Sequence, residues 1–426
     1  MSISLPAFRS LRPCAFLAVA ALAACSDNDN LPADAHDHDH VETSGRLVIA
    51  EAGAPTVHVY DLDTEALLDS FTLDFPSSAV QPSPNRRYAV VAQRADNRTQ
   101  FIDGGIWQED HGDHLHDYLE DPLLMAFKLD GVRPTHYELH DELAALFFDG
   151  NATTGDNAGV ALLTDESITN GETEATLDLP AAMHGTAEPR GDYLLATYRD
   201  GAAAGTLPSA VELYQRNASS YSFVQRFTEP CPDLHGSYSN DSHSAFGCSD
   251  GVLVVTQSGT TFTATKVPNP AGMAAGARVG TVVGHHGLQG FGGIAGSALY
   301  AINAVAGSMT EVDWNGATAV TRVAHAMDAH AETFLILDSA GMLHFLDPAS
   351  GWSTRGTVKV LDSIAASPAP QPSISVSHAG DIAFVSDPGD QSIAVIDLVK
   401  RTVAERIDLG FTPAGFTWLG LPEHAH

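Results

Sequence analysis

The sequence predicts an all-β chain folded as a β-propeller of eight blades, with seven as the alternative count. Three observations predict it. From Arg46 onward short β-type runs such as RLVIA, TVHVYDL, YAVVAQ, ALFFDG, YLLATY and IAVIDL are broken by Gly, Asp, Asn and Pro, and no stretch holds a helical apolar period for long. The runs recur as units of four strands with a period of about 40 to 50 residues, which is the repeat of a propeller. The last segment, GFTPAGFTWLG, has no partner of its own. It suits the innermost strand of the first blade and so closes the ring.

Residues 1–25 read as a targeting segment. Arg9 and Arg12 form a basic start, Cys14 to Ala24 is an apolar stretch too short for a comfortable membrane span, and LAAC ends it at Cys25. Leu, two small residues and Cys resemble a bacterial lipobox, so the expectation is a lipoprotein signal peptide with lipidation at Cys25 and a mature protein in the periplasm, anchored to the membrane only through that lipid. Residues 26–45 carry almost no large apolar side chains and read as a disordered His/Asp-rich tether. Residues 46–421 form the single propeller domain, and 422–426 a frayed C-terminus. With Cys14 lost with the signal and Cys25 lipidated, Cys231 and Cys248 remain as one pair in an oxidising compartment. A disulfide is expected, worth about 3 kcal/mol in the chain-entropy view.

The histidines carry the chemistry. Aligning the apolar strand of each unit and looking back ten residues puts His136, His184, His243 and His325 in one frame without a gap. His286 joins with three extra residues. Blade-inner positions line a propeller's channel, so these five are expected to converge near one mouth. Neutral imidazoles with a carboxylate suit Zn²⁺, which takes three or four ligands at about 2.0 to 2.2 Å. Asp241 and Asp328 are candidate oxygen donors, and His235 in CPDLHG, next to the expected disulfide, could approach the same mouth. Not all of these can hold one tetrahedral ion, and the reading that some rings are buried, hydrogen-bonded structural residues stays open. Two accessory clusters stand apart: HDHDH, with His36, His38 and His40, and EDHGDHLHDYLED, with His111, His114 and His116. The second falls between the third and fourth strands of the second unit, where a long polar insertion is usually functional or disordered.

Composition narrows the partners. A formal net charge of -32 argues against nucleic acid and anionic membrane surfaces and favours cations. HExxH and GxSxG motifs are absent. GFGGIA, at Gly290 to Ala295, lacks the strand–turn–helix setting of a dinucleotide motif and reads as loop glycine.

HDHDH, EDHGDHLHDY, MHGTAEPRGDYLLATYRDG, CPDLHG and GHHGLQGF together resemble the periplasmic AztD-type zinc metallochaperones that serve ABC-transporter zinc uptake. The resemblance covers nearly the whole mature chain, 36–420; the lipobox departs from the freely soluble form. It implies a propeller that holds zinc and passes it to the solute-binding protein of the importer. The expectation is therefore a monomeric, non-catalytic zinc-binding protein of the bacterial envelope. The alternatives are a metal-dependent propeller hydrolase or lactonase, or a surface interaction module with incidental histidines. Imidazole suits copper and nickel as well as zinc.

Overall fold

Eight apolar clusters, each wedged between two neighbouring four-stranded blades, hold the chain together; a parallel bridge between Thr176 and Ser220 joins the third and fourth blades into one eight-stranded sheet. Strand alternation supplies them: residues i and i+2 of each central strand face one neighbour, and those between face the other. Val48 and Ala50 of strand Arg46–Glu51 pack towards the second blade, whereas Leu47 and Ile49 pack towards the eighth. Eight interfaces among eight blades make a closed ring. The structure is a computed structural model that describes residues 41–112, 115–316 and 318–423. The signal segment, Cys25, His36, His38, His40 and His114 lie outside the described residues.

The ring closes as the sequence predicts. Strand Pro413–Leu419 is the innermost strand of the first blade and pairs antiparallel with Arg46–Glu51. Trp418, nearly solvent-free, fixes the junction by donating its indole N–H to Ser44 O at 2.9 Å. The innermost strands of the next four blades are Ala79–Pro82, Pro134–His140, Ala187–Arg190 and Ser237–Ser239; those of the last three are Thr281–Val283, Arg322–Met327 and Ile374–Val376. One short helix, Asp165–Asn170, interrupts the third blade, capped at its start by Thr164 and Ser167.

The insertion in the second blade is an ordered hairpin of Ile106–Asp110 and Leu115–Leu119, between the third strand Arg98–Asp103 and the fourth strand Leu123–Asp130. It also catches the end of the N-terminal segment: Val41 N donates to Asp117 Oδ2 at 3.0 Å. Ser44 N and the Thr43 hydroxyl both donate to the Asp63 carboxylate. The stretch expected as tether is thus pinned over its last residues, 41–45. No helix among the described residues is long and apolar enough to cross a membrane.

Cys231 and Cys248 form the expected disulfide, closing a loop of sequence separation 17 that takes in the first two strands of the fifth blade. That loop contains His235.

Candidate metal centre

Three of the expected histidines meet: His136, His184 and His235 each offer a ring nitrogen, all within 4.8 Å of one another. They come from the inner edges of blades three, four and five. His136 sits within strand Pro134–His140 where the register shifts between Pro134 and Tyr137, an irregularity of the kind that re-aims a side chain. His184 and His235 each precede an innermost strand, in the matching sequences MHGT and LHGS. The glycine after His235 is required. Gly236 has φ of 73°, and a Cβ there would meet Gly280 O at 2.7 Å. One residue on, Thr186 Oγ1 and Ser237 Oγ hydrogen-bond across the two blades at 2.9 Å, locking the strands that carry these rings.

Hydrogen bonding fixes the tautomers. His184 Nδ1 donates to Asp149 Oδ2 at 2.9 Å, and His235 Nδ1 donates to the carbonyl of Gly280 at 2.7 Å. Both Nε2 atoms are then unprotonated in the neutral rings, and they face each other at 3.0 Å. Two opposed lone pairs at that distance repel unless a cation lies beside both. The separation suits a shared tetrahedral ion, since Zn–N bonds of about 2.0 to 2.1 Å place two nitrogens about 3.3 Å apart. The His136 ring centroid lies 5.0 Å from that of His184 and 5.3 Å from that of His235. Its Nδ1 is 3.8 Å from Glu138 Oε1.

Burial keeps His136 and His235 neutral. Burial, with the neighbouring His184 as a second cause, pulls the pKa of His136 down to about 4. His235 is lowered too, by burial first, and then by His136 and His184. The rings remain reachable: 20% of the His136 side chain and 28% of His184 is exposed, so an ion and a further ligand have access. Asp149 is itself buried, accepts a second hydrogen bond from Arg94 Nη2 at 2.6 Å, and has an Oδ1 with no partner. The donor set therefore fits zinc: three imidazoles, two of them oriented from behind by acceptors, as is usual for metal-binding histidines.

The other expected residues lie elsewhere. His243 opens the second strand of the fifth blade, His243–Cys248, not the first. The sequence frame had keyed on VLVVT, which is the third strand, because that blade carries two consecutive apolar strands. His243 is buried beside Arg190, with Nδ1 unpartnered. The same slip affects His286: ALYAI is also a third strand, and His286 lies exposed in the loop after Thr281–Val283, its ring 3.9 Å from that of His285. His325 is on an innermost strand, but its Nδ1 accepts from Arg322 Nη1 at 2.9 Å. Asp241 is exposed in the turn before His243. Asp328 is buried, and its Oδ1 accepts from Glu332 N. His111 and His116 stay on the hairpin, ring centroids 5.9 Å apart. None of these joins the three-histidine group among the described residues. Asp149 and Gly280, which orient the rings, went unread in the sequence. The shared apolar-His-Gly-hydroxyl pattern was the one signal that could have paired His235 with His184.

Fold and site together define a class: an eight-bladed propeller that gathers three imidazoles at the inner edge of adjacent blades. The chain is similar to the zinc chaperone AztD of Citrobacter koseri, with 26% identity over 257 residues, 59% of this chain and 58% of that protein. The match thus spans less than two thirds of the relative's length. The crystal structure of C. koseri AztD matches with a TM-score of 0.76 and 22% identity, covering 89% of this chain and 99% of that one. The apo AztD structure gives the same values. The dihydro-heme d1 dehydrogenase NirN in complex with DHE matches at a TM-score of 0.58 and 14% identity, over 88% and 75% of the two chains. At these identities the structural matches establish the fold. No family model matches the chain.

Proposed function

We propose that the protein is a zinc metallochaperone of the bacterial envelope, which holds Zn²⁺ as cargo on His136, His184 and His235 and delivers it to the solute-binding protein of an ABC zinc importer. One observation carries the reading: the two Nε2 atoms that oppose each other at 3.0 Å, with both Nδ1 atoms committed to acceptors behind them. A structural histidine cluster has no need of this arrangement, whereas a cation resolves it. The likeness to a protein named as a zinc chaperone supports the choice of ion and role. In this reading the Cys25 lipid anchors the chain at the membrane, the protein acts as a monomer without catalysis, and HDHDH and the hairpin histidines are accessory collectors. Titration of the mature, metal-free protein with Zn²⁺ against a competing chelator tests it. One tight site is expected, lost in His184→Ala and in His235→Ala and retained in His243→Ala. Binding no tighter than micromolar, or unchanged in both variants, refutes it.

The ligand count favours one second reading. Three protein ligands and an open position are the pattern of catalytic zinc, so the site could serve a hydrolase. Zinc-dependent turnover of esters or lactones that is abolished by His184→Ala would favour that reading. Metal transfer to a partner without turnover favours the chaperone.

A further inference from the structure

We infer that the central channel of the ring holds a second ligand site, for a small oxyanion of the carboxylate or phosphate class, built around the guanidinium of Arg86. The inference is independent of the zinc reading. A cavity of about 780 Å³ opens in the channel, lined by the innermost strands of seven of the blades. Its volume lies in the range of small-molecule sites. None of the three clustered histidines lines it.

Arg86 is the anomaly in that cavity. It lies deep in the channel, and burial lowers its pKa only to about 10, so it keeps its charge at neutral pH. Yet the guanidinium makes one weak hydrogen bond among the described residues, Nη1 to Pro84 O at 3.4 Å, and pairs with no carboxylate. The nearest acidic group to act on it, Asp165, is already engaged by the Ser83 hydroxyl at 2.9 Å and by Asn85 N at 3.2 Å. Among the other arginines, Arg46, Arg87, Arg98, Arg226 and Arg355 each pair with a carboxylate within 3.2 Å, and the buried Arg190 and Arg199, which have no carboxylate among the described residues, are held by backbone carbonyls instead. A sequestered, unpaired charge is costly, and an arginine fork is shaped for two oxygens of one anion.

Arg86 closes the turn from Ser83, donating its N–H to Ser83 O at 3.0 Å, with φ of 58°. That left-handed conformation is natural for Gly or Asn, which decides the choice of replacement. Around Arg86 stand further unclaimed donors. The Tyr137 hydroxyl is buried with no partner. Tyr238 and His378 line the same cavity, and neither the hydroxyl nor the imidazole makes a hydrogen bond among the described residues. Four acids line the cavity, and each has another neighbour: Asp141 pairs with His140 at 3.1 Å, Asp328 accepts from Glu332 N at 2.8 Å, Glu138 faces the Thr186 hydroxyl at 3.4 Å, and Glu423 lies towards His330. One guanidinium, two phenols and one imidazole, on four separate blades or their turns, thus present donors to the channel.

The test is calorimetric titration of the metal-free mature chain with citrate and, separately, with inorganic phosphate, sodium chloride being the ionic-strength control. The informative variant is Arg86→Asn, because Asn tolerates the left-handed turn while removing the guanidinium. Tyr238→Phe is the second variant. Saturable binding of at least one oxyanion is expected, weakened by about ten- to a hundredfold in Arg86→Asn and less in Tyr238→Phe, as loss of a charge-assisted pair and of one neutral donor require. Zinc titration of Arg86→Asn should match the wild type, which separates this site from the histidine centre. Citrate alone binding assigns a carboxylate site; phosphate alone assigns a phosphate site. No saturable binding of either by wild type up to about 10 mM overturns the proposal. Equal binding by wild type and a normally melting Arg86→Asn overturns it as well.

Discussion

Asp149→Asn isolates the tautomer argument from the loss of a ligand. Asp149 touches no ion in the proposed site. Its buried carboxylate takes the Nδ1–H of His184 at 2.9 Å and is held by Arg94 at 2.6 Å. An amide in its place can turn its NH₂ towards His184, which then protonates on Nε2 and cannot ligate. Loss of such an outer partner costs about ten- to a hundredfold in metal affinity, or about 1.4 to 2.7 kcal/mol. His184→Ala, which removes one of three ligands, should cost more. The double variant should be no weaker than His184→Ala alone, because Asp149 acts only through that ring. The assay is chelator-competition titration with Zn²⁺, with thermal unfolding of the metal-free forms as a check on folding. An affinity for Asp149→Asn within threefold of wild type, with an unchanged melting temperature, would mean that His184 does not bind through Nε2, and the site as built would be wrong.

Four further outcomes are expected. Replacing Cys231 and Cys248 together by Ser should cost about 3 kcal/mol by urea unfolding and loosen the loop that carries His235, weakening zinc as well. Glu188 is buried and Glu138 half-buried, and their carboxyls are held well above the usual range, by desolvation in both and by the neighbouring Glu138 in the case of Glu188. Their protonated forms stabilise the fold at low pH, and that contribution is lost as pH rises, so Glu188→Gln should raise the melting temperature at pH 8 and have no effect below about pH 4. His285, His325 and His378 go the other way: burial lowers them to about 4, 3 and 2. The unfolded chain takes up protons near pH 6.5 that the folded chain refuses, so stability, full above that pH, should fall steadily as the protein is acidified towards pH 4 in denaturant titrations. His111→Ala with His116→Ala should leave the tight zinc site intact, which equilibrium dialysis at low zinc would show.

The fold was legible because its signals are local and repeated. Alternation marks each strand, and a C-terminal strand without a partner announces the closure that Pro413–Leu419 makes with Arg46–Glu51. The site was legible in part. His136, His184 and His235 were all within the expected set, yet His235 stood as a minor member and His243 as a major one. The reason is physical. Second and third strands of a blade are both apolar, so hydrophobicity alone cannot tell HSAFGC from VLVVT, and a frame set on the wrong strand moves the histidine by a full hairpin. Asp149 and Gly280 could not be found that way at all. One follows the second strand of the third blade and the other precedes the sixth, and only the closing of the ring brings them behind His184 and His235.

The three-ligand count bears on hand-over as well as on capture. A site with four protein ligands must lose one before a receiver can enter. Here three imidazoles lie partly exposed, and a tetrahedral ion keeps a position for an outside ligand. A receiver's side chain could therefore bind first and an imidazole leave afterwards, so that the ion is never free. On this reading transfer from the loaded protein to a partner should accelerate with partner concentration and exceed spontaneous zinc release to a chelator that cannot reach the site. Stopped-flow transfer measured against partner concentration decides between the routes. A rate independent of partner, equal to the off-rate, would show release through solvent and leave the histidine centre a reservoir.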